Sequence, residues 1–387
     1  MNYLKTTRRH RNLHLALLFG RPRVGALVVK SRHGENLGEI TGNLSYCMFD
    51  PQVRPPVWCI RFWIRRIFFV SSLPAEIRTL SAIAETLRVR VVISTDQYRD
   101  LLTAERHLQG IHFYWIQHGL FFDQRSELVR REEVYPDRET SVTLFALSAF
   151  DCENYRRWGA RPNRVIPVGS LNNAVYLTHI TTCRDDPSPN YDLCIVEKGV
   201  SPDADSDLGM MRRDSFAELL ESLAPYCLDN SLKVVVALSQ SSSQDAVLQW
   251  IRQKFPYNFD IVCSNHDFAT YRTVDRSNVT IGQISTVLSE ALCRNRKVLS
   301  VNFTSLSYLV LPGGGIASIT RPSKLQLAER LDEIRRSSWA KYWSAVSAET
   351  RALTVASPIS AVSTINQIVM ADLDPSIQRT KRQHQLK

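Results

Sequence analysis

No run of this 387-residue sequence approaches the roughly 18 consecutive apolar residues of a spanning helix, so no segment is expected to cross a bilayer in that form. The eight cysteines, at positions 47, 59, 152, 183, 194, 227, 263 and 293, contain no CxxC pair and no Cys/His ligand spacing. A disulfide framework and a structural zinc site are therefore not expected, and a reducing cytosol is the expected compartment. The start, MNYLKTTRRHRNLHLALLFGRPR, has an apolar part too short and too quickly basic for a signal peptide. The acidic loop SPDADSD lacks the rest of a calcium loop and is read as solvated, so no metal is expected.

What is present is an ordinary globular mixture, 44% hydrophobic and 22% charged, in a chain long enough for two domains. The charge is unevenly placed. Residues 1–73 hold 12 Lys+Arg against 3 Asp+Glu, so this end carries +9 of the chain's formal +10. Within it, CIRFWIRRIFFV sets Ile60, Trp63, Ile64, Ile67 and Phe68 at helical spacing, with Arg61, Arg65 and Arg66 on another face. Two readings stay open there: an interfacial helix lying on anionic lipid, or a core element with snorkelling arginines. No nucleic-acid motif accompanies the basic charge, and no nucleic-acid partner is expected.

From residue 66 apolar β-like runs alternate with helical patterns, RIFFVSS, VRVVIST and HFYWIQHG among them, which predicts a parallel sheet. In such sheets ligands bind beyond the carboxyl ends of the strands. Those ends carry Asp96, which is either an N-cap or a chemical group, and His118 followed by Gly119, which is either a turn residue or a base. A further strand ends in Gly169 and Ser170, followed by Asn172. A polar linker, TTCRDDPSPN, then separates an expected first domain, 1–185, from a second, 186–371, with 372–387 as a polar tail.

The second half repeats the rhythm and leads to NVTIGQISTVLSEALCRNRKVLSVNF, residues 278–303, read as strand, tight turn, helix, strand. Gly282 ends the strand, Ser285 and Thr286 sit at the helix start, and Glu290 lies one turn further on the same face. An open helix end with two hydroxyls suits a phosphate or diphosphate, and a carboxylate one turn on suits ribose hydroxyls. An ordinary N-cap with a solvated Glu is the alternative reading of the same residues.

The pieces VVISTDQY, IQHG, Tyr155-x-x-Trp158-Gly159, VGSLNN, YDLCIVE, IGQISTVLSEAL and KVLSVNF, in this order, resemble those of GT-B glycosyltransferases of bacterial capsule and lipopolysaccharide biosynthesis. The resemblance implies an α/β fold of two Rossmann-like domains whose parallel sheets face a central cleft. It implies phosphate contacts at Ser285 and Thr286, a ribose contact at Glu290, and a nucleotide-sugar donor as co-substrate with no separate cofactor. The expected activity is transfer of a sugar to a glycan or lipid-linked acceptor at the inner face of the cell membrane, with the basic end toward anionic lipid. A CDP-alditol phosphotransferase of the same architecture and a non-catalytic scaffold of surface-glycan assembly are the alternatives.

Overall fold

The computed structural model describes residues 10–11, 25–29, 40, 46–49, 75–95, 105, 108, 110–117, 119, 140–157, 162–183, 190–197, 206–238, 244–263, 268–354 and 360–373. They form two compact units, divided in the chain between Val175 and Tyr176. The strands of the first are β1 (His10–Arg11), β2 (Ala26–Val29), β3 (Tyr46–Phe49), β4 (Val91–Ser94), β5 (His112–Ile116), β6 (Thr140–Ala146) and β7 (Pro162–Pro167). They pair in the order β1-β3-β2-β4-β5-β6-β7, and every pairing is parallel. β2 and β4 are buried at every position, the burial expected of parallel strands covered on both faces.

Alternate residues of these strands, Ala26 and Val28, Val91 and Ile93, Tyr114 and Ile116, point to one face. That face is covered by a helix from the far end of the chain, Ser360–Leu373, through Ile365, Val369 and Leu373. Asp372 accepts a hydrogen bond from the Tyr114 hydroxyl at 2.9 Å and is ion-paired with Arg164. The sequence alone assigns residues up to 371 to the second domain and 372–387 to a tail. The helix instead belongs to the first unit, because its apolar stripe completes that sheet's core.

The second unit holds β8 (Tyr191–Val196), β9 (Val234–Leu238), β10 (Phe259–Cys263), β11 (Ser277–Gly282), β12 (Lys297–Asn302) and β13 (Ser318–Thr320), in the parallel order β10-β9-β8-β11-β12-β13. Val- and Ile-rich runs such as VVVAL favour extended backbone, and β9 is buried throughout. Five helices of this unit start at a serine. Ser206, Ser285, Ser323, Ser338 and Ser347 each accept a backbone N–H in the first turn of the helix they precede. The glycine run 313–315 has φ of 77°, 69° and 75°. It is pinned, with the Pro312 carbonyl accepting from Ser347 and Thr350 and the Gly315 carbonyl from Arg330.

Among the described residues no helix is long and apolar enough to cross a membrane. The basic segment 60–68 and the acidic residues 201–205 lie outside the described residues.

Ile365 is fully buried between its helix and the first sheet. Ile365→Ala is expected to cost about 2–5 kcal/mol in urea unfolding monitored on the first unit. An unchanged midpoint would mean that the helix does not belong to that core.

Candidate functional site

Strand order makes one place in the second unit special. From β8 the chain steps outward to β9 and β10, then returns to pair β11 with the other edge of β8 and steps outward again to β12 and β13. β8 and β11 are thus neighbours whose connections run in opposite directions. Their carboxyl ends leave a crevice where the loops part, which is where open parallel sheets bind ligands. Gly282 pairs with Val196 across those ends. A Cβ on Gly282 would lie 2.8 Å from the Val196 carbonyl oxygen, so the close approach needs glycine.

The turn that follows is held from two sides. Gln283 donates from Nε2 to the Arg212 carbonyl at 2.8 Å, and the Ile284 N–H reaches the Leu309 carbonyl at 3.3 Å. Ser285 is the N-cap of helix Thr286–Cys293, its Oγ accepting from the Val287 N–H at 3.3 Å. The cap uses an acceptor lone pair of that hydroxyl, and the O–H remains a donor. Thr286 is half-buried at the first helical position. The sequence-identified group Gly282, Ser285, Thr286 and Glu290 is therefore one continuous strand–turn–helix at the switch in strand order.

Glu290 is 4% exposed, which excludes the reading of it as a solvated side chain. Its Oε2 accepts from the Tyr271 hydroxyl at 2.9 Å. Burial, and next the field of Glu290, push the Tyr271 phenol well above the usual tyrosine range, so it stays a donor. Behind it, Arg294 and Asp275 form an ion pair (Nε to Oδ1, 2.9 Å) with both side chains 2% exposed. Tyr271, Arg294 and Asp275 were not singled out from sequence. Their association is long-range, and nothing local marks it.

In the first unit, His118 and Asp96 lie outside the described residues. Their flanks are described. Ser94 and Thr95, at the end of β4, are buried. Gln117, at the end of β5, is 2% exposed, and its amide is fully engaged. Nε2 donates to the Gly119 carbonyl and to Asp151 Oδ1, both at 2.8 Å, and Oε1 accepts from the Leu147 N–H at 3.2 Å. Asp151 also accepts from the Ser148 hydroxyl, while Ser148 caps helix Ala149–Arg157 by accepting the Asp151 N–H. The pair Ser148-x-x-Asp151 is a helix-start signal legible in the sequence. Gly169 is buried with φ 90°, and Ser170 caps helix Leu171–Cys183 by accepting the Asn173 N–H at 3.2 Å. Asn172, in the first turn of that helix, is half-buried.

A separate cavity of about 760 Å³ in the second unit is lined by Arg213, Glu218, Trp250, Lys254 and Ser323 among others. It shares no residue with the strand–turn–helix, and the ion pair of Lys254 with Glu221 occupies part of its wall.

No protein-family model matches this sequence, and no curated protein is similar to it in sequence. Several solved structures are similar to it in fold. UDP-N-acetylglucosamine 2-epimerase from Rickettsia bellii aligns with a TM-score of 0.58 at 11% identity, over 94% of this chain and 99% of that one. The UDP-GlcNAc 2-epimerase of Methanocaldococcus jannaschii, in complex with UDP-GlcNAc and UDP, aligns with a TM-score of 0.56 at 11% identity, over 89% and 99%. The wall teichoic acid polymerase TagF aligns with a TM-score of 0.53 at 13% identity, over 93% and 92%. The chain thus has the α/β fold of these enzymes, two Rossmann-like units of parallel sheet of the GT-B type, as the sequence implied.

Asp151 is 1% exposed, and burial raises its carboxyl to about 6 from 3.8, against the lowering effect of the Ser148 and Gln117 hydrogen bonds. The folded protein therefore holds this proton more tightly than the unfolded chain. The resulting stabilisation is present below the unfolded value and is lost as pH rises through about 6. A rise of this size corresponds to about 3 kcal/mol. Relative to Asp151→Asn, the wild type is expected to lose about that much stability between about pH 4 and pH 7 in urea titrations. A difference between the two that does not change with pH would refute the assignment.

Proposed function

We propose that this protein is a transferase that takes a sugar from a nucleotide-sugar donor and passes it to a growing surface glycan or a lipid-linked acceptor. The observation that carries the reading is the coincidence of two independent features. The switch in strand order of the second sheet falls at the β8–β11 junction, and the helix with Ser285, Thr286 and Glu290 starts at that junction. In support, an enzyme of the same fold is known in complex with UDP-GlcNAc and UDP.

In this reading the helix end and the hydroxyls of Ser285 and Thr286 hold the donor diphosphate and offset its negative charge without a metal. Glycine at 282 lets the end of β11 close on the end of β8, which brings the helix start to the crevice. Glu290 accepts from the ribose hydroxyls, about 6 Å along the helix from Thr286. The acceptor hydroxyl attacks the anomeric carbon, the bond from that carbon to the diphosphate oxygen breaks, and the hydroxyl proton passes to His118 as general base. Asp96, Gly119, Gly169, Ser170 and Asn172 are assigned to the acceptor side. The +9 charge of residues 1–73 brings the protein to the anionic inner face of the membrane, where such acceptors reside.

The similarity to a wall teichoic acid polymerase favours a second reading, in which the same site takes a CDP-alditol and a phosphate–oxygen bond is the one broken. The similarity to the epimerases favours a third, in which the sugar nucleotide is isomerised and no acceptor is needed.

A thermal-shift panel of the purified chain against CMP, CDP, UDP, GDP and ADP is expected to show selective stabilisation by one of the diphosphates. Glu290→Ala is expected to weaken that binding by about 1.5–3 kcal/mol. His118→Ala is expected to keep nucleotide affinity while lowering turnover roughly 10²–10⁴-fold. Product analysis with and without acceptor then separates sugar transfer, alditol-phosphate transfer and epimerisation. Absence of any nucleotide shift would leave the scaffold reading in its place.

A further inference from the structure

Tyr271 stands on the short helix Ala269–Asp275 and is enclosed by its neighbours. Its ring centroid lies 5.2 Å from that of Tyr176 and 5.7 Å, edge on, from that of Phe268. The Arg294 guanidinium sits over the Tyr271 ring at 4.9 Å and over the Tyr176 ring at 5.2 Å. Phe268 is itself held at φ 59°, ψ 24°, a left-handed conformation that an aromatic residue adopts only under constraint. The ring of Tyr271 is therefore fixed in position and plane by a cation and two aromatics. Its hydroxyl donates in one direction, to Glu290 Oε2 at 2.9 Å.

A glutamate has three side-chain torsions, and ordering them weakens any hydrogen bond the carboxylate later makes to a ligand. A donor locked in place removes most of that freedom beforehand, and it also fixes which lone pairs of the carboxylate face away from it. The far end of the cluster is tied down separately. Asp275 takes the Arg294 Nε on Oδ1 and the Tyr176 hydroxyl on Oδ2 at 2.8 Å, so Arg294 is held over the rings from its other side. The chain Tyr176–Asp275–Arg294–Tyr271 runs inward from Glu290 and ends in the core.

We infer that Tyr271 is a positioning residue for Glu290, and that the Tyr271–Arg294–Asp275 cluster sets the preference of the nucleotide site for ribose over sugars lacking the ribose hydroxyls. The inference rests on the proposed contact of Glu290 with ribose. Tyr271 does not itself touch the nucleotide. Its hydroxyl turns the carboxylate so that the ribose diol finds acceptors already aimed, and a nucleotide without the diol gains nothing from them.

The test is titration calorimetry of the full chain with CDP, UDP and their 2′,3′-dideoxy analogues, for wild type, Tyr271→Phe and Tyr176→Phe. Wild type is expected to bind CDP or UDP about tenfold more tightly than its dideoxy analogue, the scale of one charge-assisted hydrogen bond. Tyr271→Phe is expected to bring the two to within about twofold while leaving dideoxy affinity unchanged. Tyr176→Phe removes a hydroxyl from the same cluster without touching Glu290, and is expected to keep the preference. Should Tyr271→Phe fail to fold, Tyr271→Met, which fills the space without a donor, takes its place. A Tyr271 variant that keeps the tenfold ratio, or weakens both nucleotides equally, overturns the positioning role and leaves the ribose contact standing. A wild type without preference overturns the ribose contact and this inference with it. A wild type that binds neither CDP nor UDP overturns the site as one for a pyrimidine nucleoside diphosphate, and this inference with it.

Discussion

The close approach of β11 to β8 is the constraint on which the second unit depends. Gly282 lies against the Val196 carbonyl where no side chain fits, and the pairing in register from Leu193–Val279 to Val196–Gly282 keeps the two strand ends level. Levelness matters because β8 and β11 belong to the two halves of the sheet, and only their adjacency brings the loops of both halves to one place. A side chain at 282 would push the ends apart and separate the Ser285 helix start from the end of β8. The turn is then braced by Gln283 against Arg212 and by Ile284 against Leu309, so the helix end is held by two elements beside its own strand.

Electrostatics follow from that packing. The helix Thr286–Cys293 presents its amide end at the strand edge and turns its carboxylate, Glu290, inward to 4% exposure. A carboxylate so buried needs donors. The Tyr271 phenol supplies one, and the aromatic–cation stack of Tyr176, Arg294 and Tyr271 keeps that phenol in place. The first unit shows the same economy at the end of β5. There one side-chain amide, Gln117, satisfies a backbone N–H, a backbone carbonyl and the buried Asp151 at once.

Much of this was readable in the residues. VVIS, HFYWI, YDLCIV, VVVAL and KVLSVN are short β-branched and aromatic runs bounded by polar turns, and all are strands. The serines that open helices act through their own hydroxyl on an N–H two or three residues away, a purely local interaction that sequence displays directly. The same locality made Ser285 visible and left two readings of it open, since a cap and a phosphate contact use the same residue at the same position. The C-terminal helix was assigned to the second half because nothing in SAVSTINQIVMADL says which apolar surface its stripe will meet.

The sequence by itself determined the alternation of parallel strands and helices, the helix starts, and the strand–turn–helix that ends at Lys297–Asn302, because periodicity, β-branching and capping act within a few residues. Only the tertiary structure decided which strands are neighbours, that Glu290 is buried against Tyr271, and that the last helix completes the first sheet. Those outcomes depend on which apolar faces close on one another across as many as 283 residues of chain, as between Arg90 and the Leu373 carbonyl. Burial of that kind is non-directional, and it leaves no local mark on the residues that take part.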